Sequence, residues 1–86
     1  MLRLVLLAPA ISMIEFTYED AAYTVDRFGG RRALIVFRAD TGLARCVIVE
    51  TDAGHTVVAG PGCRQAQADR LAASALAAWD ALSESA

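Results

Sequence analysis

Cys63 follows Gly60-Pro61-Gly62 and precedes a long alanine-rich segment. A thiol at a helix start is a candidate nucleophile or redox group, because backbone N–H groups and the helix dipole stabilise the thiolate. Such a nucleophile also needs a base, and His55 is the one histidine available. Neither residue carries a signature around it. The plainer reading makes Cys63 a small residue beside an N-cap and His55 a surface turn residue. The loop Gly60–Arg64 could also hold an anion at the helix N-terminus. It contains neither a G-x-G-x-x-G nor a P-loop, so a simple strand-to-helix turn is preferred. His55 has no second histidine to share a metal, and the two cysteines, Cys46 and Cys63, give neither a disulfide framework nor metal-ligand spacing. No metal and no cofactor is expected.

The carboxylates Glu15, Glu19, Asp20 and Asp26 gather in the first third of the chain. A general acid–base pair needs a set separation and burial. These four read instead as turn and edge residues.

All eight basic residues are arginine, and four of them, Arg31, Arg32, Arg38 and Arg45, fall in a short stretch opposed only by Asp40. This charge sits in a chain of net charge −2, which offers no global attraction to nucleic acid. An RNA-binding sheet would add aromatic stacking platforms on one face. Tyr23, Phe28 and Phe37 do not share a face in the register read below. Arginine is also enriched at the rims of protein interfaces.

These residues must be held by elements, and hydropathy gives the elements. Ile14, Phe16 and Tyr18 alternate with Glu15 and Thr17, the period of a half-buried strand. Glu19 to Ala22 reads as a turn and Tyr23 to Phe28 as a second strand. Gly29-Gly30 is a two-residue hairpin signal that sets Arg27 opposite Arg32. A third strand runs from Arg31 to Arg38. Asp40-Thr41-Gly42 and Asp52-Ala53-Gly54 read as three-residue loops flanking a fourth strand, Leu43 to Glu50, and leading into a fifth, His55 to Ala59. Gly60-Pro61-Gly62 ends the sheet. A helix from about Arg64 to about Leu82 places Ala68, Leu71, Ala75, Ala78, Trp79 and Leu82 on one stripe, so it should dock through Leu71, Trp79 and Leu82.

The expectation is a single α+β domain over residues 1–86: an antiparallel β-meander of four to five strands, then one C-terminal helix on one sheet face. Residues 1–12 admit an extra strand, an extension before a start at Met13, or a weakly signal-like segment. The apolar run is too short to span a membrane, and a cytoplasmic location is expected.

Paired residues share a face of a sheet. The turns above put Tyr23, Val25, Leu34, Val36, Cys46, Ile48 and Val58 on one face. Ala33, Ile35, Phe37, Val47, Val49, Val57 and Ala59 fall on the other. Both faces are apolar, whereas a half-exposed antiparallel sheet alternates. One helix covers one face. The other needs a cover, and an exposed apolar patch marks an interaction surface. That cover is the N-terminal segment 2–11, closure into a small barrel, a second copy of the chain or a different protein, and the expected partners are another protein, a second copy as a homodimer, or both. The functional expectation is a non-catalytic interaction module: a small adaptor, regulatory subunit or inhibitor of the kind phages and mobile elements carry, acting by surface occlusion. Its contact residues are expected at Arg31, Arg32, Ile35, Phe37, Arg38 and Arg45. A nucleic-acid-binding arginine hairpin is the alternative, and a thiol enzyme using Cys63 the second alternative.

Overall fold

Alternation of apolar and polar residues lays five strands down in chain order. The computed structural model describes residues 13–27 and 33–85. The strands are β1 (Met13–Tyr18), β2 (Ala21–Arg27), β3 (Ala33–Arg38), β4 (Ala44–Thr51) and β5 (Gly54–Ala59), followed by α1 (Gln65–Ser85). Each strand pairs antiparallel with the next, so the sheet order is β1-β2-β3-β4-β5. The helix packs on one face of this meander, which is the expected α+β fold. The expectations placed on residues 1–12, the Gly29-Gly30 turn, Phe28, Arg31 and Arg32 lie outside the described residues.

The β1–β2 connection is tighter than the sequence suggests. Tyr18 faces Ala21, which leaves Glu19 and Asp20 as the whole loop. Both have positive φ, 49° and 64°. Two left-handed residues make the turn whose twist matches the flanking strands. It carries neither glycine nor asparagine, so the usual signal is missing. Ala21 and Ala22, expected in the turn, belong to β2.

Across β2 and β3 the pairs are Val25↔Val36 and Arg27↔Leu34. Arg27 therefore does not face Arg32, as the two-residue loop implied. Its guanidinium lies over the Trp79 ring, 5.3 Å from the centroid, a cation–π contact. The register differs from expectation by two residues, so the faces stay as read.

The β4–β5 hairpin differs by one residue, with a larger effect. Thr51 pairs with Gly54, so the loop is Asp52-Ala53, and Gly54 joins the ladder with φ of 131°. A slip of one residue exchanges the faces of a strand. Val57 and Ala59 consequently face the helix, opposite Ile48 and Cys46, and Val58 faces away, opposite Val47. This corrects the expected faces of β5.

The core lies between the sheet and α1. The sheet contributes Ile14, Tyr23, Val25, Leu34, Val36, Cys46 and Ile48. The helix contributes Ala68, Leu71, Ala72, Ala75 and Trp79. Alanines form most of that helical surface, so the helix backbone approaches the β-branched face closely. Trp79 and Leu71 are buried as expected, whereas Leu82 is 44% exposed and does not dock. The helix touches β5, β4 and β1, crossing the sheet from one edge to the other. Its start is fixed locally. Gly62 has φ of 76°, and the Arg64 N–H donates to Gln67 Oε1 at 3.3 Å, the Gln half of a capping box. The Gln65 amide donates to Asp69 Oδ1 at 2.8 Å and to the Val57 carbonyl at 2.9 Å.

Two substitutions test these local constraints. Replacing Glu19-Asp20 with Asn-Gly removes the left-handed penalty, and we expect a gain of about 0.5–2 kcal/mol, read as a higher urea midpoint at unchanged slope. A Cβ on Gly60 would meet the Ala44 carbonyl oxygen at 2.6 Å. Gly60→Ala should therefore lower stability by about 1–3 kcal/mol in the same titration.

Candidate functional site: two faces of one sheet

The face turned away from the helix is the first candidate. Rows of paired residues cross it: Met13–Asp26–Ile35–Val47–Val58, Glu15–Thr24–Phe37–Ala44 and Ala33–Val49–Thr56. The β3–β5 half is apolar, with Ile35, Phe37, Val47 and Val49 half-buried and Val58 52% exposed. The β1–β2 half carries Glu15, Thr17, Thr24 and Asp26, with Met13 at the corner. Among the described residues no element packs over this face.

The expected contact residues divide between the two faces. Ile35 and Phe37 lie on the open face. Arg38 faces Tyr23, which puts it on the helix side, and its Nε donates to Asp40 Oδ1 at 2.9 Å. That pair is solvent-exposed and contributes about 0–1 kcal/mol. Arg45 also belongs to the helix side, for a structural reason. The β3–β4 register shifts between Val36 and Phe37: Val36 pairs with Cys46 but Phe37 pairs with Ala44, which leaves Arg45 as an extra residue. Such a bulge re-aims a side chain. Arg31 and Arg32 fall outside the described residues. The arrangement therefore separates Arg38 and Arg45 from Ile35 and Phe37. The sequence pattern hid this division, because a bulge leaves no mark in alternation.

Arg45 lines a cavity of about 80 Å³ between the sheet and the start of α1. Tyr18, Tyr23, Cys63, Gln67 and Arg70 line it too. The cavity exists because three connections meet there: the β1–β2 turn, the bulge, and the loop into α1. The last is pinned by Gly60 N–H donating to the Arg45 carbonyl at 2.8 Å.

The thiol site does not assemble as a pair. His55 is exposed at the start of β5 and faces Glu50. Cys63 lies beyond the other end of that strand, about 13 Å or more away at about 3.3 Å per residue. Cys63 Sγ contacts the Arg64 carbonyl at 3.7 Å. Cys46 is fully buried, and burial pushes its thiol from 9.0 up to about 11, with the neighbouring Cys63 and Asp69 adding to the rise and Arg45 opposing it. Among the described residues no three His, Cys, Asp or Glu side chains group as metal ligands, and no helix is long and apolar enough to cross a membrane.

What fold and site define is a class: a small α+β domain with one helix-covered face and one apolar face over which no described element packs. Comparison with protein-family models, curated proteins and solved structures finds no match to this chain.

The two thiols should respond differently to chemistry. At neutral pH we expect a thiol-alkylating reagent to label Cys63 and to spare Cys46 until the protein is unfolded, read by peptide mass spectrometry. Because the folded state holds the Cys46 proton more tightly, its contribution is complete below pH 9 and is lost as pH rises through about 11. Denaturant midpoints should fall over that window, and the fall should vanish in Cys46→Ala.

Proposed function

We propose that the protein is a non-catalytic interaction module, a small adaptor, regulatory subunit or inhibitor that acts by laying its open sheet face on another protein. The observation that carries this reading is the apolar β3–β5 surface of Ile35, Phe37, Val47, Val49 and Val58, with no described element over it. Contiguous exposed apolar surface of this kind marks interaction sites.

The size of the face bears on the kind of contact. Five strands of about six residues, spaced about 4.8 Å apart and rising about 3.3 Å per residue, make a face of about 24 by 20 Å. Covering it buries about 1,000 Å² counted over both partners, the low end for specific interfaces. That scale suits a reversible contact with a separate protein better than the core of a permanent homodimer. Both cysteines are free, which fits a reducing, cytoplasmic setting and the inhibitors that phages and mobile elements deploy there.

The test uses the tagged full chain, recovered from its native lysate with and without nuclease. A stoichiometric protein partner that survives nuclease and is lost in Val47→Asp/Val49→Asp supports the reading, provided far-UV circular dichroism shows the variant folded. Charge reversal at Arg38 should leave that capture intact, since Arg38 lies on the other side of the sheet. Retention of the partner by the Val47/Val49 variant overturns the proposal, as does capture that nuclease abolishes. A concentration-dependent dimer that the same two substitutions dissolve would assign the face to a second copy instead.

A further inference from the structure

The cavity on the helix side has hydrogen-bond donors that the protein leaves unused. Tyr23 is 9% exposed, its ring stacked on Phe16 with centroids 5.6 Å apart and set edge-on to Tyr18 at 6.4 Å. It lines the cavity, and its hydroxyl has no hydrogen-bond partner among the described residues. Arg45 and Arg70 line the same cavity, and neither guanidinium has an ion-pair partner among the described residues. Gln67 uses its Oε1 to take the Arg64 N–H, which leaves its amide nitrogen as a further donor. The one carboxylate in the lining belongs to Glu19, and it pairs with neither arginine.

Two cations from different elements line one space, and their charges favour an anion there. Arg45 reaches this space only through the bulge in β4, and bulges recur where a fold re-aims a functional side chain. We propose that the cavity binds one small tetrahedral oxyanion, a phosphate group, held by the Arg45 and Arg70 guanidiniums with the Tyr23 hydroxyl as a third donor. Guanidinium–phosphate hydrogen bonds are charge-assisted and short. A tetrahedral ion offers acceptors in three directions at once, whereas a carboxylate offers two oxygens in a plane. The volume of about 80 Å³ has room for several waters or one small polyatomic ion, so the phosphate is free or borne by a small phosphomonoester that projects into solvent past the exposed Arg70. This site is separate from the open sheet face and stands or falls without it.

Calorimetric titration of the full-length protein with inorganic phosphate, in a low-chloride buffer near neutral pH, tests the proposal. We expect one saturable site, weakened at least about tenfold in Arg45→Ala and in Arg70→Ala. Tyr23→Phe keeps the ring packing and should weaken binding about two- to tenfold. Glu19→Gln removes the opposing charge and should tighten it, an outcome that misfolding does not produce. Parallel titration with glycerol phosphate separates the two sources: tighter binding than inorganic phosphate assigns a phosphomonoester, and equal or weaker binding assigns the free ion. Absence of saturable binding at millimolar phosphate overturns the proposal. So does equal affinity for acetate and phosphate, or binding that both arginine variants retain in full.

Discussion

One helix against a sheet with two apolar faces is the constraint on which the rest of the structure depends. Burying apolar surface is the main favourable contribution in a domain this small, and α1 can do so on one side only. The chain makes that side tight. Ala68, Ala72 and Ala75 let the helix settle close to the sheet, in one core with Val25, Val36 and Ile48, and Leu71 and Trp79 add the larger side chains. The opposite side keeps Ile35, Val47 and Val49 half-buried among their own neighbours. Among the described residues, the face opposite α1 and the gap where α1 begins are the two places the packing leaves open.

The bulge at Arg45 links those two places. It leaves Phe37 opposite Ala44 on the open face while carrying Arg45 through to the helix side. It also brings the β4 backbone against Gly60, where there is no room for a side chain. A regular β4 would return Arg45 to the open face, remove a cation from the cavity, and change the approach of the chain to α1. Side-chain placement, helix entry and the apolar character of the open face are thus set by one extra residue.

Element order and type were legible in the sequence because each strand has either clean alternation or punctuating glycines. The central pairing of β3 and β4 follows from Asp40-Thr41-Gly42, and Val36↔Cys46 and Ile35↔Val47 form as read. Three features escaped. The Glu19-Asp20 turn uses left-handed residues that are rarely chosen for it. Gly54 belongs to the ladder rather than to the loop, which exchanged the faces of β5. Helical periodicity weighted Leu82 over Ala72, although a small residue packs closer in the middle of the helix than a large one does near its end. Arg45 parts from Ile35 and Phe37 for a related reason: proximity in sequence and strand membership do not say which way a bulged side chain points. Cys63 and His55 carry no signature as a pair, and the length of β5 keeps them apart.

The Gln65 side chain, donating to the Val57 carbonyl, bears on how copies of this fold behave when crowded. β5 is an edge of the sheet, and edge strands offer unpaired backbone groups to any neighbour. One acceptor of that edge is already engaged by the protein's own helix, which weakens β5 as a template at that point. The residue that helps to start the helix thus also withdraws one backbone acceptor from strand-by-strand pairing.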